Sequence, residues 1–451
     1  MTIEAFPTRV RVYPSPLGGH LRVPGDKSLS HRALLIGALV GRPVTVRGLA
    51  LSGDVRSTAA GLRTLGGRVQ LDADPAGLAG TITGPLGEAE DVVDCGNSGT
   101  SLRLLSGIAA GIEGLTVLTG DASLRRRPVD RIREPLSAMG ARVDARAAGR
   151  LPPLVVRGGG LVGITYRSPV ASAQVKSAVL IAGLAASGPT SVEAPLPSRD
   201  HTERLLRYLG GDVETQVGND GSERTTLRPG GLSARDIDVC GDPSSAAFWW
   251  VAAALSPERE GVTVTGVNLN PGRVGVLDVL EELGADVERA GKSDQAGEPV
   301  GDVTVRYAPL GTARVAGRTV VDAIDELSLL ALAGALADDG LTVSDAAELR
   351  VKESDRIEAT ARALGGLGIH VRTAADGFHV PGRQRPTGGT VEARGDHRIA
   401  MLGAVAGTIA SGPVEIVGFD AVATSYPTFL DDFATLGGDV EVLEALGTAR
   451  G

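Results

Sequence analysis

Apolar and polar positions follow two rhythms along the chain. Behind the polar stretch "GDKS" (25–28), Leu29, Ala33, Ile36 and Val40 recur three or four residues apart, which predicts a helix burying one stripe. In "RVQL" (68–71) and "TITG" (81–84) apolar and polar residues alternate singly, as in half-buried strands. The rhythms change over at a recurring helix end: "LRTLGGRV" (62–69), "LSAMGARV" (136–143), "LRYLGGDV" (206–213), "LEELGADV" (280–287), "GGLGIHV" (365–371) and "FATLGGDV" (433–440). In each, a glycine (66, 140, 210, 284, 368, 437) suits a left-handed helix stop, and the valine three places on begins a strand. Six endings at intervals of 69 to 84 residues define a repeat.

A second helix opens about midway between these endings, after turn residues, in "GDKSLSHR", "GNSGTSLR", "SPVASAQVK", "GDPSSAAF", "DAIDELS" and "GDHRIAM". Each unit therefore reads as strand, helix, strand, helix and a closing pair of strands. Three units precede residue 240 and three follow it, which predicts an α/β protein of two like domains, each of three β-α-β-α-β-β units.

Composition agrees and narrows the function. A chain of 451 residues exceeds one ordinary core, and 42% apolar with 22% charged residues describes a folded protein. No apolar run reaches membrane-spanning length, and "MTIEAFPTRVRVYP" lacks a signal pattern, so a cytoplasmic protein without membrane attachment is expected. A net charge of −9 disfavours nucleic acid as a partner, and an anionic ligand needs a local gathering of cations. Two cysteines and six histidines show no metal-ligand spacing; His31, His201 and His397 read as local hydrogen-bonding groups.

That gathering lies at the helix starts, where unpaired N–H groups and the helix dipole already favour anions. Lys27, Ser28 and Arg32 flank the first opening, Asn97 and Thr100 surround Gly99 in the second, and Ser172 with Gln174 opens the third. Arg356 follows "VKES", Arg398 follows His397, and "SLRRRPVD" places Arg125, Arg126 and Arg127 on a loop. Arg199 adjoins a helix expected to be capped by Asp200 with Glu203 three residues on. Singly, "GDKS" is a capped turn, "RRR" a solvated face, Asp325 a helix cap and Glu353 a surface carboxylate. Their shared place in the repeat points instead to a two-domain enzyme for small phosphate or carboxylate ligands, with Asp325 and Glu353 as acid/base candidates. Lysine is scarce: of 45 basic residues only Lys27, Lys176, Lys292 and Lys352 are lysines.

"GDKSLSHRAL", "GNSGTSLR", "RRRPV", "SAQVKSAVL", "GDPSSAAF", "VKESDRI" and "GDHRIAM" together resemble the motifs of the 5-enolpyruvylshikimate-3-phosphate synthase (3-phosphoshikimate 1-carboxyvinyltransferase) family of enolpyruvyl transferases, over nearly the whole chain. The resemblance implies an inside-out α/β barrel fold of two globular domains, 24–239 and 1–23 with 240–451, and an active site in the cleft between them that is complete only when they approach. It implies transfer of the enolpyruvyl group of phosphoenolpyruvate to the 5-hydroxyl of shikimate 3-phosphate with release of phosphate, a step of the shikimate pathway toward chorismate and aromatic amino acids. The chemistry requires no cofactor and no metal, and a monomer is expected.

By the same resemblance, Ser172, Ala173 through its backbone, and Arg199 hold the shikimate phosphate, Ser28 and Arg32 its carboxylate, and Asp325 its hydroxyls. Gln174, Lys352 and Lys27 also belong to the shikimate 3-phosphate site. Lys27, Gly99, Arg127 and Gln174 meet phosphoenolpyruvate, with Arg356 and Arg398 on its carboxylate. Lys27, Asp325 and Glu353 are the expected catalysts, because lysine gives and retakes a proton where arginine effectively cannot. Thr424 in "VATSYP" stands where many relatives have lysine. "RDHTE" and "SAQVK" resemble the glyphosate-tolerant class, yet "NPGR" (270–273) lacks its threonine. Gly99, often alanine in tolerant relatives, leaves room for glyphosate, so inhibition is expected. The sister transferase acting on UDP-N-acetylglucosamine usually has a cysteine where this chain has Ala122. A non-enzymatic repeat scaffold predicts charge-complementary faces rather than cations and carboxylates gathered at helix starts.

Overall fold

A computed structural model describes residues 6–74, 77–257 and 259–445, so residues 1–5 and 446–451 of the expected second domain lie outside it. After β1 (Pro7–Tyr13) and β2 (Gly19–Leu21) come α1 (Lys27–Leu39), β3 (Val44–Leu49), α2 (Gly53–Thr64), β4 (Arg68–Asp74) and β5 (Gly77–Thr83). The second repeat is β6 (Val93–Asp94), α3 (Gly99–Gly111), β7 (Gly114–Thr119), α4 (Asp130–Ala138), β8 (Arg142–Ala145) and β9 (Leu151–Gly158). The third is β10 (Thr165–Arg167), α5 (Ala173–Gly183), β11 (Thr190–Ala194), α6 (His201–Tyr208), β12 (Asp212–Val217) and β13 (Glu223–Arg228). The fourth follows as β14 (Ile237–Asp238), α7 (Pro243–Ala254), β15 (Val262–Asn268), α8 (Gly275–Leu283), β16 (Asp286–Gln295) and β17 (Glu298–Arg306). The fifth is β18 (Thr312–Val315), α9 (Leu327–Leu336), β19 (Gly340–Val343), α10 (Arg356–Gly365), β20 (Arg372–Ala374) and β21 (Gly377–Val380). The sixth is β22 (Gly389–Glu392), α11 (His397–Ile409), β23 (Val414–Val417), α12 (Phe429–Thr435) and β24 (Asp439–Ala445).

The described strands form six four-stranded sheets of one topology, for example β6-β7-β9-β8, with a parallel first pair and antiparallel closing strands. Three strands are borrowed across the sequence. β14 supplies the first strand of the first repeat's sheet, β2 that of the fourth, and β1 fills the gap between β23 and β24 in the sixth. The chain falls into two compact units: unit I, Gly25–Cys240 with 294–298, and unit II, the residues up to Pro24, Gly241–Ser293 and Pro299 onward.

The six expected helix stops adopt positive φ: 83° at Gly66, 110° at Gly140, 85° at Gly210, 104° at Gly284, 80° at Gly368 and 93° at Gly437. A side chain would strain that conformation, so glycine ends the helix and turns the chain into the next strand. Five of the valines three places on lie in strands; Val371 falls one residue before β20.

The stripe expected on α1 is corrected: every residue from Leu29 to Ala38 is buried. Within unit I, α1 packs against α2, α3 and α6, and α3 against α5; within unit II, α7, α9 and α11 pack on one another. The first helix of each repeat is thus enclosed by its neighbours and by sheets, and a helix surrounded on all sides is apolar all round. α7, "PSSAAFWWVAAA", is buried at every residue. Charged side chains on such helices lie in their first two turns, and caps at the starts meet the orphan N–H groups. Asp26 accepts from Leu29 N at 2.9 Å, Ser98 from Ser101 N at 3.0 Å, and Asp396 from Arg398 N at 3.0 Å.

Candidate active site

In unit I the expected residues occupy the starts of α1, α3 and α5 and the turn before α6, with Arg127 in the loop before α4. Lys27, the first residue of α1, sets its ammonium 3.1 Å from the Asp54 carboxylate on the first turn of α2. Ser28 is half-buried beside it. Arg32, one turn on and only 3% exposed, donates from Nε to Thr202 Oγ1 at 2.7 Å, from Nη2 to Ser177 Oγ at 2.8 Å, and from Nη1 to the Ser28 carbonyl at 2.9 Å. Burial draws its pKa down to about 10, against the opposing pull of Glu203 and Asp26.

Gly99, first residue of α3, is buried, and a Cβ there would lie 2.8 Å from Arg103 Nη1 and 3.5 Å from Arg127 Nη1. Arg127 donates to Asn97 Oδ1 at 2.7 Å. Arg103 donates to Gln174 Oε1 at 2.6 Å, while Gln174 Nε2 donates to Thr100 Oγ1 at 2.9 Å. Gly99, Arg127 and Gln174 therefore meet around Arg103, a residue inside the quoted "GNSGTSLR" that the sequence reading did not single out. Ser172 caps α5 by accepting from Val175 N at 3.4 Å, and Ala173 is its first helical residue.

Arg199 is half-buried before α6. The capping expected of Asp200 is corrected: its carboxylate accepts from Arg204 Nε at 2.8 and 2.9 Å and makes no side-chain cap. Glu203 is likewise unavailable for a capping box, because it faces inward to Lys176 at 2.6 Å. His31 Nδ1 lies 2.7 Å from Thr58 Oγ1, and burial pushes its pKa well below the usual value, leaving it neutral.

In unit II, Asp325 sits in the turn before α9, whose N-cap is Glu326. Its carboxylate receives Lys352 Nζ at 3.3 Å and Arg356 Nη1 at 3.4 Å, so a carboxylate read singly as a cap is an ion-pair centre. Arg356, first residue of α10 and 2% exposed, donates from Nη2 to Glu353 Oε2 at 2.5 Å and from Nε to Asp396 Oδ2 at 3.0 Å. Burial works to lower the Arg356 pKa, but Asp396, Glu353 and Asp325 outweigh it and raise it. Burial likewise works to raise Asp396, and Arg356 brings it below the ordinary carboxylate value. Arg398 donates to the Asp325 carbonyl at 2.9 Å and to Glu326 Oε1 at 3.1 Å; Ser244 Oγ reaches the same Glu326 oxygen at 2.5 Å.

All five expected residues of this unit thus share one network with Asp396 of "GDHRIAM" and Glu326 of "DAIDELS", neither of them among the residues expected from sequence. Thr424 donates its hydroxyl to the Ala421 carbonyl at 2.8 Å. Among the described residues no group of three or more His, Cys, Asp or Glu is placed to hold a metal. Cys95 and Cys240 are buried, and Ala122 is exposed.

Chemically, unit I offers helix starts lined with cations and hydroxyls, and unit II offers carboxylates hydrogen-bonded to lysine and arginine. The family model for EPSP synthase (3-phosphoshikimate 1-carboxyvinyltransferase) matches residues 12–433. A relative from Synechococcus sp. (strain RCC307), 3-phosphoshikimate 1-carboxyvinyltransferase, is 46% identical over 93% of this chain and 97% of its own. Its namesake from Gloeobacter violaceus is 46% identical over 93% of this chain and 96% of its own. The solved EPSP synthase of Acinetobacter baumannii superposes with a TM-score of 0.83 at 39% identity, covering 96% of this chain and 99% of that one. The enolpyruvyl transferase NikO of Streptomyces tendae shares the fold, with a TM-score of 0.76 at 20% identity over 98% of this chain and 100% of that one. The chain belongs to the EPSP synthase family.

Proposed function

We propose that this protein is an enzyme that transfers the enolpyruvyl group of phosphoenolpyruvate to the 5-hydroxyl of shikimate 3-phosphate and releases phosphate. The observation that carries the reading is the meeting of Gly99, Arg127 and Gln174 around Arg103 at the start of α3, a cationic cradle backed by helix N–H groups. Ser172, the Ala173 N–H and Arg199 take the shikimate phosphate, Ser28 and Arg32 its carboxylate and Asp325 its hydroxyls; Lys27, Gln174 and Lys352 also bind this substrate. The Gly99 backbone, Arg127 and Gln174 receive the phosphate end of phosphoenolpyruvate, Arg356 and Arg398 its carboxylate, and Lys27 also contacts it. Forked guanidinium groups suit such fixed anions.

The reaction needs a proton delivered to the enolpyruvyl methylene and one removed from the hydroxyl, then a proton withdrawn as phosphate leaves. Lys27, Asp325 and Glu353 divide these steps. Asp325 and Glu353 are both hydrogen-bonded to cations, Lys352 and Arg356. Glyphosate competes with phosphoenolpyruvate, and the enzyme works as a cytoplasmic monomer. Calorimetry with shikimate 3-phosphate tests the reading: binding is expected below millimolar ligand, and its absence there overturns the assignment.

A further inference from the structure

Lys176 lies two residues beyond Gln174 on α5, only 2% exposed, and none of the roles above uses it. Its ammonium hydrogen-bonds the Ser198 carbonyl at 3.2 Å and Glu223 Oε1 on β13 at 2.6 Å, and pairs with Glu203 Oε1 on α6 at 2.6 Å. Three oxygens thus surround a group that has three N–H bonds. A planar guanidinium spreads its donors outward along a fork and cannot converge them on one point. Burial acts to lower the lysine pKa, yet the two carboxylates raise it, so the charge persists in the interior.

The neighbouring residues repeat the connection. Ser177 Oγ lies 2.7 Å from Thr202 Oγ1, and Arg32 of α1 donates to both hydroxyls. Successive residues on α5, 176 and 177, are therefore joined to successive residues on α6, 203 and 202. The Ser198 carbonyl tethers the residue directly before Arg199. These are the elements that carry Ser28 and Arg32, Ser172 and Ala173, and Arg199.

We propose that Lys176, with Glu203 and Glu223, is a positioning cluster that sets the distance between the phosphate-binding and carboxylate-binding groups of the shikimate 3-phosphate site. The proposal rests on the function proposed above. It explains why lysine persists at this position in an arginine-rich chain, and it makes affinity for this substrate, rather than for phosphoenolpyruvate, depend on a buried ion cluster.

The test combines calorimetry with shikimate 3-phosphate, steady-state kinetics for both substrates and a thermal melt on the full chain. If the wild type fails to bind shikimate 3-phosphate, the functional reading falls, and this proposal with it. Given binding, Lys176→Arg keeps the charge and breaks the three-way convergence. Its Kd for shikimate 3-phosphate is expected to rise about tenfold or more, while KM for phosphoenolpyruvate and kcat stay within about threefold. A folded variant with unchanged Kd, or with equal losses for both substrates, overturns the proposal. Should Lys176→Arg not fold, Glu223→Ala decides, because it removes one oxygen and keeps the Lys176–Glu203 pair. It is expected to weaken shikimate 3-phosphate selectively by about threefold, and Glu223→Gln, whose amide oxygen still accepts, to restore the affinity. Wild-type affinity in Glu223→Ala overturns the proposal.

Discussion

The helix starts of unit I and unit II are built on one scaffold and carry opposite electrostatic bias. In unit I, Lys27, Arg32, Arg103, Arg127 and Arg199 gather with serine and threonine hydroxyls, and Lys27 pairs with the Asp54 carboxylate. In unit II, Asp325, Glu326, Glu353 and Asp396 surround Lys352, Arg356 and Arg398, each cation lying within 3.4 Å of a carboxylate. The capped start of a buried helix holds whichever charged groups the sequence places there, so one repeated scaffold carries either bias without a change of fold.

Three substitutions bear on that contrast. The largest effect is expected at Lys27, the proton-transfer candidate on the cationic side. Lys27→Arg preserves the charge and the α1 cap, yet turnover should fall by about 10²–10⁴-fold, with a melting temperature close to wild type. Turnover near the wild-type rate would return Lys27 to a purely electrostatic role and erase the distinction between the lysine and its arginine neighbours.

On the carboxylate side, Asp396→Asn leaves Arg356 buried with one fewer anionic partner and is expected to cost about 3–5 kcal/mol in urea unfolding at neutral pH. The sign of its pH dependence follows from the depressed pKa of Asp396. Its contribution is complete above the unfolded carboxyl value of about 3.9 and is lost as pH falls through the lower folded value. The gap between wild type and variant should therefore narrow on acidification below about pH 4. A gap constant with pH would show that Asp396 is not the ionised partner of Arg356.

The smallest effect is expected at Gly99. An added methyl meets the tip of Arg103, a flexible group that can yield, so the fold should persist while the Arg103–Gln174 contact shifts. Gly99→Ala should weaken glyphosate by roughly 1–3 kcal/mol and raise KM for phosphoenolpyruvate much less, because the longer ligand loses room first. Inhibition assays on both proteins decide it. Equal losses, or a wild type already insensitive, would show that α3 does not discriminate the two ligands.

The repeat was legible because its signals are local. A glycine at a left-handed stop and a capping residue at a helix start act within one turn, and the six marked glycines and five of the six following valines lie where those signals place them. The cationic helix starts were legible for the same reason. What escaped depends on residues far apart in sequence. Lys176 meets Glu203 and Glu223 only through tertiary packing, and Asp200 lost its expected capping role to Arg204, a competitor one turn away that propensity does not weigh. The all-round burial of α1 escaped because a polar start and a few serines dilute the apolar count of a helix whose whole circumference is covered.

The borrowed strand β1 has a consequence for how the chain is made. It is synthesised well before its partners, for it pairs Arg9 with Val417 and Val10 with Val442. The three sheets of unit I need no strand beyond β14, so they can form during synthesis. β1 must wait through some four hundred residues of translation with its edges unpaired, a contact of very long range and slow closure. Its alternating Arg9, Val10, Arg11 and Val12 place charge on every second position, which keeps a waiting strand soluble and discourages it from joining the wrong edge.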